Sequence, residues 1–195
     1  MITNIISILA RELILLIYKG AAMSIKVFSD CGSYNNGYRD KSKPMFGSIA
    51  VIVINENDEI LYKNVKVFED KTNNYCELLG MLDGLIFAVN NYPNEQINVY
   101  SDSEYVIKGA SQRVNKWKRM GWKNSSGPVK NKELWEVVCK INESNYDIQY
   151  NWVRGHQGKS TTKEDNYLVY YQEMCDSMAV DIIEKKVKIW NKKRE

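Results

Sequence analysis

Between Ile25 and Val153 the apolar residues keep changing their period, and this alternation most restricts the folds open to the chain. IKVFSD (25–30), FGSIAVIVIN (46–55) and EILYKNVKVFE (59–69) are β-branched and aromatic runs. Glu56-Asn57-Asp58 between the last two reads as a hairpin turn. From Asn73 to Asn91 the period becomes helical, with Leu78, Leu79, Leu82, Leu85, Ile86 and Val89 in one stripe. INVYSD (97–102) returns to strand, and SEYVIKG (103–109) is a short helix for which Gly109 is the stop signal. NKELWEVVCKIN (131–142) is helical, DIQYNWV (147–153) is a strand, and a last helix runs from about Tyr171 to Trp190. The order β-β-β-α-β-α-α-β-α predicts an α/β fold. Its mixed five-stranded sheet begins with an antiparallel meander and is flanked by helices.

In such sheets, sites form at the carboxyl ends of strands. Asp30 and Asp102 occupy such ends, and they face each other if the first and fourth strands are neighbours. Glu77 in the first long helix and Asp176 in the last complete a set of four carboxylates. Converging carboxylates repel and raise one another's pKa. Hard divalent cations relieve that repulsion: Mg²⁺ takes oxygen ligands and keeps some of its waters. Two such ions about 4 Å apart activate a water and stabilise the leaving oxygen of a phosphodiester. By position alone Asp102 also reads as a helix N-cap.

The net charge of +3 decides nothing, but its distribution does. Arg113 to Lys132 holds seven Lys or Arg and no Asp or Glu. Within it Trp117 and Trp122 interleave with Lys116, Lys118, Arg119 and Lys123, a pattern suited to phosphate contact. The tryptophans are expected to pack this segment rather than to stack on bases. Cys31, Cys76, Cys139 and Cys175 have no CxxC spacing, which argues for reduced thiols and against zinc or a disulfide scaffold. Cys31 should face away from Asp30. Residues 1–22 are apolar but split by Arg11 and Glu12, too short on either side for a membrane span. They lack a basic leader as well. Two readings stand: an amphipathic helix that docks on the body or a membrane surface, or a mis-assigned start. The second rests on Lys19-Gly20-Ala21-Ala22, which a purine-rich ribosome-binding site before Met23 would spell.

Over nearly all of Ile25 to Ile183 the chain resembles type 1 ribonuclease H. The resemblance is carried by FSDCGSYNNG (28–37), TNNYCELLGML (72–82), YSDSEYVIKG (100–109), NKWKRMGWKNSSGPVKNKELW (115–135), WVRGHQG (152–158) and CDSMA (175–179). It implies a ribonuclease H-like fold and endonucleolytic hydrolysis of the RNA strand of RNA–DNA hybrids, leaving 5′-phosphate and 3′-hydroxyl ends. It further implies two Mg²⁺ ions, with Mn²⁺ as a substitute. Asp30 matches the carboxylate that bridges both ions, Asp102 one that holds the water-activating ion, and Glu77 and Asp176 those on the other ion. His156 matches a mobile histidine that assists proton transfer or product release. Asn36, Asn73 and Asn74 match positions that test 2′-hydroxyls, and Thr72 and Asn131 a pocket for a DNA phosphate.

Departures from the family pattern are specific. Arg113 stands where a channel tryptophan is common, Glu104 where glutamine is, and Asp70 where an arginine adjoins the phosphate pocket. The stretch 158–174 is expected to lengthen the loop after His156. The expected organisation is an extension (1–22), a catalytic domain (23–190) and a basic tail (191–195), in a cytoplasmic monomer without an obligate protein partner. No membrane contact is expected unless residues 1–18 provide one. The rival readings are a related nuclease acting on other nucleic acids, which would lack the basic segment, and a non-catalytic hybrid-binding module. The module would have lost a carboxylate, and all four are present.

Overall fold

The structure is a computed structural model that describes residues 23–37, 40–155, 162–164 and 166–193. Both readings of residues 1–22 lie outside the described residues, and so does His156.

The main sheet contains β1 (Ser24–Tyr34), β2 (Phe46–Ile54), β3 (Ile60–Glu69), β4 (Gln96–Ser101) and β7 (Ile148–Trp152), in the order β3-β2-β1-β4-β7. β1, β2 and β3 form the antiparallel meander, and β4 and β7 add in parallel. Every residue of β2 is buried because both faces of the sheet are covered. One face carries α1 (Asn73–Asn91), α2 (Glu104–Lys108), α3 (Val114–Arg119) and α4 (Lys132–Asn142) over a core that includes Val27, Val51, Leu85, Val99 and Trp135. The other carries α5 (Tyr167–Lys192) over Phe28, Ala50, Ile52, Cys175 and Ala179. Mid-way along α5, the buried Ser48 hydroxyl accepts the Gly32 N–H (3.0 Å) and donates to the Ala179 carbonyl (2.8 Å), fastening helix to sheet.

Some details differ from expectation. β1 does not end at Asp30 but runs on to Tyr34, because β2 pairs with it as far as Tyr34↔Phe46. Gly109 does not stop a helix. The chain winds through a π-turn (Gly109–Arg113) into α3, and Gly109 is needed there because a Cβ would overlap the Trp135 ring. Trp117 meets the same ring edge-on, centroids 5.2 Å apart, so it packs the basic handle as expected. A small β5 (Lys123–Asn124) and β6 (Gly127–Pro128) ladder closes the handle. In α1 the buried face passes through Cys76, Gly80 and Gly84, leaving Leu79 half-buried and Ile86 39% exposed.

The last helix starts at Tyr167, so the segment after His156 is shorter than expected. Asn166 caps α5 by accepting the Val169 N–H, and the rings of Tyr167 and Tyr171 pack on Phe28. These contacts draw residues that read as loop into the helix. No described helix is long and apolar enough to cross a membrane.

Candidate active site

The site begins where two central strands part. The β1–β4 ladder ends at Phe28↔Tyr100, and Asp30 and Asp102 each lie two residues further along. The open edge leaves a recess lined by Asp30, Asp102, Gly155, Gln172, Glu173 and Asp176. Its volume of about 10 Å³ is room for roughly one water-sized body. Gln172 and Asp176 are one helical turn apart, so α5 presents both to the same place. Gly155 lies so close to the Asp102 carboxylate that a Cβ would overlap it. The Trp152 indole N–H donates to the Asp102 carbonyl (2.8 Å). The helix cap that sequence allowed for Asp102 belongs instead to Ser103, whose hydroxyl accepts the Val106 N–H.

Asp30 is 9% exposed. Its carboxyl is pushed up to about 8, chiefly by burial and then by the negative charges of Asp102 and Asp176. Hydrogen bonds from the Cys31 N–H to Oδ1 (2.7 Å) and from Gln172 Nε2 to Oδ2 (3.1 Å) oppose that rise. Glu77 is on α1, the helix that covers the other face of the sheet, and does not line the recess. It accepts from Asn73 Nδ2 (2.7 Å) and from the Ser103 hydroxyl (2.5 Å). Burial raises its pKa, Asp102 adds to the rise, and the Ser103 bond opposes it. The Cys31 thiol points to Asn73, away from Asp30 as expected. Three of the four selected carboxylates therefore share the recess and the fourth stands behind it. Among the described residues no group of three or more His, Cys, Asp or Glu side chains is placed to hold a metal ion by itself.

The recess nonetheless suits a hard cation. Its donors are oxygens, it is small, and Gln172, which lines it, has a buried amide oxygen with no partner among the described residues.

A second concavity, of about 500 Å³, is lined by Asn36, Thr72, Asn73, Asn74, Tyr105, Lys130 and Asn131. Five of these were selected from sequence; Tyr105 and Lys130 were missed. The Tyr105 hydroxyl accepts from Asn131 Nδ2 (3.1 Å) and Trp135 Nε1 (2.9 Å). Asn131 precedes α4 in a left-handed conformation (φ 55°) and spends its side chain on Tyr105 rather than on capping. Asp70 is not among the lining residues. Arg113, Lys116, Lys118, Arg119 and Lys123 are exposed on the handle and its approach, outside this cavity. Lys118 is held by Glu143 (2.6 Å), and Glu104 is answered by Lys108 (2.7 Å).

Ser103 and Gln172 also escaped sequence reading. The signals for them were slight: a hydroxyl next to Asp102, and an amide four residues before Asp176.

These features define an α/β protein with an acidic site at the central split of its sheet. The RNase H family profile matches residues 23–184, and the chain belongs to that family. Ribonuclease H of Treponema pallidum is 36% identical over 111 residues, covering 56% of this chain and 59% of that protein. Thus the chain spans little more than half of that relative's length. Ribonuclease HI of Xylella fastidiosa is 33% identical over 150 residues, covering 74% of this chain and 95% of that protein. The solution structure of the PFV RNase H domain superposes with a TM-score of 0.61 over 83% of this chain and 97% of that one. At 18% identity that likeness concerns the fold.

Proposed function

We propose that this chain is an endoribonuclease of the ribonuclease H class, cutting the RNA strand of RNA–DNA hybrids with divalent cations seated at Asp30, Asp102 and Asp176. The carrying observation is the placement of Asp30 and Asp102 at the β1/β4 split with Asp176 at the same recess, in a chain of this family. The family generally depends on divalent metal; Mg²⁺ is the expected ion here, with Mn²⁺ able to replace it. When bound, such ions polarise the phosphodiester, supply the attacking water and stabilise the leaving 3′-oxygen.

The chain's own groups do the rest. Asp30, fixed by the Cys31 amide and Gln172, presents a set carboxylate plane, and Asp102 is steadied through its backbone by Trp152. Glu77 serves from the α1 side, oriented by Ser103 and Asn73. His156 moves a proton at the scissile phosphate or speeds product release.

Strand discrimination belongs to the amide-lined cavity. Asn36 and Asn74 test 2′-hydroxyls in the shallow minor groove of the hybrid. Asn73 contributes by its backbone, because its side chain is taken up by Glu77 and Cys31. Thr72 and Asn131 hold a DNA phosphate, and Lys130 supplies the positive charge that position 70 lacks. Arg113, Lys116, Arg119 and Lys123 add counterion-releasing contacts. The catalytic unit is residues 23–190, acting as a monomer.

The test uses an end-labelled RNA–DNA hybrid beside single-stranded RNA, double-stranded RNA and double-stranded DNA, in Mg²⁺, Mn²⁺ or EDTA. Metal-dependent internal cuts in the RNA of the hybrid alone are expected. Tight hybrid binding with no cutting in any metal would overturn the reading.

A further inference from the structure

Gln172 is 2% exposed and lines the acidic recess from α5. Its Nε2 donates to the Ser29 carbonyl (3.1 Å) and to Oδ2 of Asp30 (3.1 Å). Both amide protons are used, which fixes the orientation: a flipped amide would set Oε1 against two acceptors. Oε1 is then left in the interior with no partner among the described residues. An unpaired buried acceptor is costly, and an apolar side chain of similar length would fill the space without one. The amide therefore needs an explanation at each of its ends.

We infer that Gln172 is a positioning residue for cation binding: its N–H group locks the Asp30 carboxylate, and its Oε1 accepts a hydrogen bond from the water shell of the cation at Asp30. This rests on the metal-site reading above. Mg²⁺ gives up its waters reluctantly, and their polarised protons need acceptors. A neutral oxygen takes such a proton without adding charge to a recess that already holds Asp30, Asp102, Glu173 and Asp176. A carboxylate at residue 172 would stand at hydrogen-bond distance from Asp30 and repel it. The same amide on Asp30 leaves that carboxylate one settled rotamer, so less freedom is lost when the cation arrives.

The test is calorimetric titration of the full chain with Mg²⁺, without nucleic acid, for wild type, Gln172→Leu and Asp30→Asn. Gln172→Leu should bind Mg²⁺ about tenfold or more weakly, the scale of a lost hydrogen bond to a charged group. Its thermal stability in EDTA should fall only modestly, because the orphaned oxygen is removed while the Ser29 carbonyl and Asp30 Oδ2 lose their donor. Raising Mg²⁺ should restore most of its cleavage rate, which a general packing defect would not allow. Should Gln172→Leu not fold, Gln172→Met, unbranched and of similar length, takes its place in the same titration. Mg²⁺ affinity within twofold of wild type in the folded variant, with binding lost in Asp30→Asn, overturns the role of Gln172 and leaves the metal site standing. Unchanged Mg²⁺ binding in Asp30→Asn overturns the metal-site reading and this inference together.

Discussion

The acidic recess and the amide-lined cavity have no lining residue in common, and they are built on opposite terms. In the recess, burial works against the charge of Asp30, its carboxylate neighbours add to the penalty, and an amide oxygen is left over. In the cavity, Trp135 and Asn131 both donate to Tyr105, the neighbouring Asn73 amide is paired, and the volume is fifty times larger (about 500 against about 10 Å³). In the recess the buried Asp30 carboxylate and the Gln172 oxygen remain at a cost, which is what the proposed cation site would relieve. The cavity is already organised and waits for a shape. On the proposed reading, catalysis and recognition thus rest on different physics, and variants should separate them.

The largest expected effect is on the recess. Asp30→Asn or Asp102→Asn should lower kcat by about a thousandfold or more, while hybrid affinity, read by fluorescence anisotropy, stays within a few fold. Near-normal turnover in either variant would remove that residue from the metal site. Next comes metal removal. Mg²⁺ at about a hundred times its Kd should raise Tm by about 5–10 °C over EDTA, and Asp30→Asn should abolish the shift. The pH dependence in EDTA sharpens the same point. The Asp30 carboxyl is raised from 3.8 to about 8 in the folded protein, so the fold prefers it protonated. The stability it contributes is full below the ordinary value and is lost as pH rises through about 8. Asp30→Asn should therefore gain on wild type in Tm between pH 4 and pH 8. A constant difference across that range would count against the assignment.

Effects on the cavity should be smaller and of another kind. Lys130→Ala should raise KM about five- to tenfold with kcat little changed, and flatten the salt dependence of hybrid binding by about one ion. Equal losses in kcat would mean that the cavity takes part in chemistry and would blur the distinction. Smallest is Lys118→Ala, expected to weaken binding less than Lys116→Ala, because Lys118 is already paired with Glu143. A larger loss for Lys118 would mean that this pair opens on the nucleic acid.

Much of this was legible before the structure because periodicity reports local structure. The five strands and the long helices follow from short-range pattern, and the choice of four carboxylates, three of which share the recess, came from strand ends and resemblance. What escaped depends on contacts between distant residues. β1 continues past Asp30 only because β2 pairs with it, and α5 starts early because Tyr167 and Tyr171 find Phe28. Ser103 looked like punctuation and Gln172 like one more polar residue in a helix. Only the fold shows that the first bonds to Glu77 and the second to Asp30. Lys130 sat in a basic run with nothing to set it apart from its neighbours until Thr72 came beside it.

The Ser48 fastening of Ala179 divides α5 unequally. Behind it lie Cys175 and Asp176; ahead, Ile183 is the last buried residue, and the turns beyond it are half-buried or exposed. The outer turns should fray first on heating, so far-UV helicity should begin to fall while cleavage still proceeds. For the same reason they form a spacer. A fluorophore, tag or second domain attached beyond Ile183 is expected to leave the carboxylates undisturbed, since Ala179 fastens the helix to the sheet between them.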